Sequence, residues 1–215
     1  MKVVQIDFDD TLCDSSVGFR KIFPDFDESL YKTFSYNADI CSKPIQSRVG
    51  MVQPDDFDSN SKTLLEAWKN PVVIQEEGMF PFDWQNVIED FLSQNKDFRI
   101  VIRSISLSEE VAKKKKQILQ PLLNNDRLHF ESILKTAEEE SIKLPIDCDY
   151  YIDDYMENFI QYNPKRTELF LIDRYHNQEI WNPRYDYSCV TRVKDIKEVF
   201  EIITKESLKE QIMKK

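Results

Sequence analysis

Glycine is scarce, with three in 215 residues, and the chain carries no Ser/Gly-rich or Pro-rich low-complexity tract. Together with 41% apolar and 32% charged residues, this excludes an extended disordered chain and indicates an ordered globular protein. Long hydrophobic runs are also missing: stretches such as Ile100–Ile102 fall far short of the roughly 20 residues that a membrane span needs. Met1-Lys2-Val3 leads directly into a strand-like segment rather than a signal peptide, so a soluble protein of the cytoplasm is expected. The four cysteines, Cys13, Cys41, Cys148 and Cys189, form no C-x-x-C pair. Their spacing supports neither a zinc site nor a disulfide framework, and they read as free thiols in a reducing compartment. The two histidines, His129 and His176, stand too far apart to suggest a metal site or a triad.

Positive charge is in deficit. A formal net charge of −10 repels a polyanion over most of the surface, which argues against stable nucleic-acid binding through phosphate neutralisation. Small phosphorylated substrates stay open, because a bound metal reverses the sign locally. The basic run Lys113–Lys116 follows Ser108-Glu109-Glu110 and sits among Val111, Ile118 and Leu119. That pattern predicts a helix that turns its lysines to water.

What is present is an alternation of short β-branched runs with helical stretches. Residues 1–9 read as a buried strand ending in acidic groups, and residues 98–104, 149–154 and 168–173 share the form, with 128–134 as a weaker fifth. Between them, Trp84, Val87, Ile88, Phe91 and Leu92 fall on one helical face behind a capping Asp83. Val193, Ile196, Val199, Phe200 and Ile203 do the same near the end of the chain. The alternation predicts a Rossmann-like three-layer α/β/α core with a parallel sheet. Residues 17–79 break it: rich in aromatics and interrupted by Pro24, Pro44, Pro54 and Pro71, they read as a small inserted helical cap. Residues 1–16 and 80–215 then form the catalytic core. No internal repeat is visible.

In open α/β sheets, ligands bind beyond the carboxyl ends of the strands, so Asp7, Asp9, Ser104, Asp153 and Asp154 are expected to converge on one edge. Asp7-Phe8-Asp9-Asp10-Thr11-Leu12 directly follows the first strand. One carboxylate there can act as nucleophile, and a second, two residues on, can donate and accept protons. Anions so close require a cation, and Asp153-Asp154 at another strand end adds the oxygen donors that a hard ion such as Mg²⁺ prefers.

With these residues the sequence resembles the haloacid dehalogenase-like phosphatases, whose first motif, Asp-x-Asp-x-Thr/Val, is matched by Asp7, Asp9 and Thr11, and whose fourth, an acidic pair after a strand, is matched by Asp153 and Asp154. The family's second motif, a Ser or Thr ending a strand, falls on Ser104, with Ser106 as competitor. Its third, a lysine that neutralises nucleophile and phosphoryl group, falls on Lys143, with Lys135 as alternative. Within the superfamily the chain is most similar to the 5'(3')-deoxyribonucleotidases, through the cap position, Lys143, Ile152-Asp153-Asp154 and the Asn-containing loop in 169–177. It departs from them at Asp10-Thr11, at Arg103-Ser104-Ile105 and at Tyr155. The second and third of these bear on nucleotide specificity rather than on phosphatase chemistry.

The resemblance implies a Mg²⁺-dependent phosphomonoester hydrolase with an aspartyl-phosphate intermediate. Asp7, Asp9, Ser104 and Lys143 would be catalytic, and Asp7, the backbone carbonyl of Asp9, Asp153 and Asp154 would hold the metal. Thr11, Phe19 and Phe23 would contact a small phosphorylated substrate, a nucleoside monophosphate before other phospho-metabolites or a nucleic-acid 3'-phosphate. Dehalogenases and P-type ATPases share the nucleophile but lack a carboxylate at the place of Asp9. A non-catalytic binding member of the superfamily is the rival reading, and the sequence leaves a homodimer open.

Overall fold

The structure, a computed structural model, describes residues 1–22, 68–74, 77–81, 83–135, 143–174, 177 and 188–213. Residues 23–67, which make up most of the expected cap and include Phe23 and Cys41, lie outside the described residues, as does His176.

Six strands form one all-parallel sheet: β1 (Lys2–Asp7), β2 (Phe98–Ser106), β3 (Leu128–Leu134), β4 (Tyr150–Asp153), β5 (Glu168–Ile172) and β6 (Val190–Val193). Their spatial order is β3-β2-β1-β4-β5-β6. Strands buried on both faces show no polar alternation with solvent, so β1 and β4 are mostly apolar in sequence, with Gln5 the buried polar exception inside β1. Side chains still alternate between faces. Val4, Ile6, Ile100, Ile102, Ile152 and Phe170 point to one side, while Val3, Tyr151, Leu169 and Leu171 point to the other.

The first face is covered by four helices: α1 (Ser16–Ile22), α2 (Trp84–Gln94), α3 (Glu109–Leu119) and α4 (Ile196–Met213). Phe91 of α2 stacks on Phe200 of α4 with centroids 4.1 Å apart. The second face packs against the 3-10 segment Met156–Gln161 and Tyr162, giving a three-layer Rossmann-like α/β architecture. Among the described residues no helix is long and apolar enough to cross a membrane.

Local sequence explains most of these boundaries. Ser108 caps α3 by accepting a hydrogen bond from the Val111 N–H at 3.2 Å. Asp83 does precede α2, but its side chain makes no capping bond. Val193, whose spacing suits the C-terminal helix, instead closes β6, and α4 opens at Ile196. Four residues, Val-Thr-Arg-Val, are too few to display a period of two, and Val193 also fits the helical spacing of Ile196 and Val199.

The described ends of the insertion belong to the core. Phe19 of α1 is fully buried edge-on against Trp68, and the 3-10 turn Pro71–Val73 joins the same apolar cluster as β1. Gly18 permits this approach: a Cβ there would stand 1.7 Å from the Val73 carbonyl oxygen and 2.7 Å from its carbonyl carbon. Backbone cannot yield as a flexible side chain does, so Gly18→Ala is expected to destabilise the fold by about 1–3 kcal/mol or more, read as a lower urea midpoint with an unchanged m-value.

Candidate functional site

Strand order reverses between β1 and β4, which opens a crevice beyond their carboxyl ends. Asp7 is the last residue of β1 and Asp153 the last of β4, so the sheet itself delivers both carboxylates to the same place. Ligand oxygens of Asp7, Asp153 and Asp154 all lie within 4.8 Å of one another, and all three residues are buried. Such an all-oxygen set suits a hard divalent cation.

A tight turn follows β1. The Phe8 carbonyl accepts from the N–H groups of Leu12 (3.0 Å) and Cys13 (3.3 Å). Asp10 adopts φ 55°, a left-handed conformation that Asp tolerates better than most residues, and its Oδ1 accepts from Ser15 N–H at 2.9 Å. The turn directs the Thr11 hydroxyl at Asp154, to whose Oδ1 it donates at 2.8 Å. Thr11, expected to contact substrate, is thus a buried support for an acidic neighbour. The other side of the turn is held by Arg174, which donates through Nε to the Asp10 carbonyl at 2.5 Å. Asn177 ties the facing loop by donating to the Asp154 and Ile172 carbonyls, both at 2.8 Å.

Asp153 is held from several sides. Its Oδ2 accepts from Asn158 Nδ2 at 2.9 Å, from Lys143 Nζ at 3.3 Å and from the Tyr151 hydroxyl, while Oδ1 accepts from the Tyr155 N–H at 2.8 Å. Lys143, itself buried, also donates to Asp7 Oδ1. The structure therefore brings Lys143 to the carboxylates, whereas Lys135 follows edge strand β3, its N–H donating to the Ser106 carbonyl at 3.1 Å. Arg103, the unusual residue before Ser104, turns its guanidinium to Glu131 and to the Leu144 carbonyl, anchoring the chain next to Lys143.

The electrostatics follow from this crowding. Burial, then the charges of Asp153 and Asp154, raise the Asp7 carboxyl well above its ordinary value, against the opposing pull of Lys143. Asp153 is raised as well, chiefly by burial. Burial alone would depress Lys143, but the carboxylates of Asp153 and Asp7 outweigh it and keep its ammonium charged.

No family model matches the chain, and neither the curated proteins nor the solved structures contain a match.

One expectation is overturned. The run Lys113–Lys116 was expected to face water, yet Lys115 has no exposed surface. It occupies the buried stripe of α3 with Val111, Ile118 and Leu119, four residues after the first and four before the last, as a core-facing position of a helix must be. That spacing was visible in the sequence; the three neighbouring lysines obscured it. The Lys115 ammonium donates to Asp9 Oδ2, to Ser104 Oγ at 2.7 Å and to the Ile105 carbonyl at 3.1 Å. Ser104 in turn donates to Asp9 Oδ2 at 3.0 Å. Ser106, the last residue of β2, bonds Ser132 at 2.8 Å instead, so Ser104, two residues earlier, is the serine brought to the acidic loop. Phe19 is placed in the apolar core with its ring covered, and Phe23 is outside the described residues.

A carboxyl raised in the folded state contributes stability below its ordinary value of 3.8 and loses it as pH rises through the folded value. Without divalent cation at pH 7, Asp7→Asn is accordingly expected to be more stable than the parent by about 1 kcal/mol, roughly 2–4 °C in Tm. The gain should shrink toward pH 4, a trend that thermal melts in metal-free buffer would measure.

Proposed function

We propose that the chain is a Mg²⁺-dependent phosphomonoester hydrolase of haloacid dehalogenase-like type, in which Asp7 is the nucleophile and Asp9 the proton carrier. The observation that supports this most is the meeting of Asp7 with Asp153, Asp154 and Lys143 at the switch point of the sheet. A buried carboxylate there has a lysine to offset its charge and a second carboxylate, Asp9, two residues along.

The residues fit a divalent cation. Around the site, Asp7, Asp9, Asp153 and Asp154 face Lys115 and Lys143, an excess of negative charge that a dication offsets, and three of the carboxylates converge. Asp7, the Asp9 backbone carbonyl, Asp153 and Asp154 would hold Mg²⁺, which when bound supplies charge stabilisation to a phosphoryl group.

The chain's own groups do the rest. Asp7 attacks phosphorus in line, and the departing alcohol takes its proton from Asp9. Water that loses a proton to Asp9 then hydrolyses the aspartyl-phosphate and restores Asp7. Lys143 stabilises charge on the transferring group, a large share of catalysis where the transition state asks mainly for positioning and electrostatics. The resemblance to the 5'(3')-deoxyribonucleotidases favours a nucleoside monophosphate as substrate, in a cytoplasmic setting.

A panel of phosphate esters, incubated with and without Mg²⁺, tests the reading. Hydrolysis that requires Mg²⁺ is expected, falling by on the order of 10³ or more in kcat for Asp7→Asn. Mg²⁺ should also raise Tm, by the equivalent of about 2.7 kcal/mol at a hundredfold excess over Kd, and Asp153→Asn should abolish that rise. No turnover of any ester, or full activity of Asp7→Asn, would sink the proposal. Equal turnover of every ester would remove the nucleotide preference alone.

A further inference from the structure

Lys115 is an expensive residue to place where it lies. Its ammonium has no exposed surface and sits between the rings of Phe8, 5.2 Å from the centroid, and Trp68, at 5.9 Å. An isolated buried ammonium costs several kcal/mol, so it persists only if every hydrogen finds an acceptor. Here all three do: Asp9 Oδ2, Ser104 Oγ and the Ile105 carbonyl.

These bonds have a direction. Asp9 Oδ2 receives both Lys115 and the Ser104 hydroxyl. Asp9 Oδ1 is buried and has no hydrogen-bond partner among the described residues. One oxygen of the carboxylate is therefore anchored from two sides, while the other keeps its acceptor capacity unused among the described residues. Lys143 plays no part in this arrangement, since its contacts go to Asp7 and Asp153. The two buried lysines divide the site, one serving the nucleophile and one the neighbouring carboxylate.

We infer that Lys115 is a positioning residue that, with Ser104, clamps Asp9 by Oδ2 and so presents Oδ1 as the oxygen that carries the proton. The inference rests on the hydrolase reading above. In the first step the Asp7 oxygen bonds to phosphorus, the bond from phosphorus to the ester oxygen breaks, and that oxygen takes the proton from Asp9 Oδ1. In the second, water oxygen bonds to phosphorus, its proton passes to Asp9 Oδ1, and the bond to Asp7 breaks, so that one water is consumed for one alcohol and one phosphate formed. Ser104 is drawn into the clamp and acts through Asp9.

Leaving groups that differ in their need for a proton separate this role from a merely structural one. p-Nitrophenolate departs without protonation, whereas the 5'-alkoxide of a nucleoside monophosphate does not. Single-turnover release of each leaving group would be measured with Mg²⁺ for the parent, Lys115→Met and Lys115→Arg. Lys115→Met is expected to slow alcohol release by roughly 100-fold and p-nitrophenolate release by less than about fivefold, with Lys115→Arg recovering part of the loss. Equal slowing of both, or of neither, would overturn the inference while leaving the hydrolase reading intact. A parent chain that releases neither would instead bring down the hydrolase reading, and this inference with it. If Lys115→Met does not fold, Lys115→Gln supplies the same comparison, with the same selective loss expected and the same equal loss fatal.

Discussion

Everything at the carboxyl edge of the sheet depends on keeping several acidic groups buried within a few ångströms of one another. Water stabilises a carboxylate far better than a protein interior does, so each one brought inside needs a specific partner. Lys143 is the partner for Asp7 and Asp153 together, and it arrives on a loop whose position is fixed by Arg103 on β2. Strands β1 and β4 and the loop that carries Lys143 are thereby interdependent. One ammonium stands against two carboxylates, so the cluster is costly to assemble.

A second lysine repeats the solution at a different carboxylate. Lys115 comes from a helix rather than a loop, and the helix spends one position of its apolar stripe to deliver it. A core position occupied by a charge weakens packing, so its presence at that register is informative in a way that an exposed lysine is not. The shape of the site is also set by hydrogen bonds that touch no reacting atom: Thr11 on Asp154, Asn158 and Tyr151 on Asp153, and Asn177 across the two loops. These hold side chains that would otherwise repel one another.

The sequence disclosed the sheet because its buried parallel strands are short, mostly apolar runs rich in β-branched and aromatic residues. Asp7 and Asp153 were legible for a related reason, since polar residues at the ends of such runs have few other places to be, whereas Lys143, on a loop, was indicated only by the family resemblance. What escaped had a physical cause in each case. β6 is too short to carry a periodic signal. Lys115 was masked by identical neighbours that do face water, and only its register with Val111 and Leu119 distinguishes it. Thr11 and Phe19 follow Asp7 closely in sequence; the tight turn brings the first to Asp154, and the second lies in the core, the commoner place for such an aromatic.

The central place of β1 has a consequence for how the chain comes into being. Val4 pairs with Ile100 on one side and Tyr150 on the other, so its neighbours are supplied by stretches far along the chain. During synthesis the strand that ends in Asp7 waits unpaired until β2 has emerged, and it gains its second neighbour only with β4. Such long-range closure slows folding and leaves Val3–Ile6 available for mispairing in the interim. The residue placed best for chemistry in the finished molecule is carried by the segment most exposed to misassembly in the nascent one.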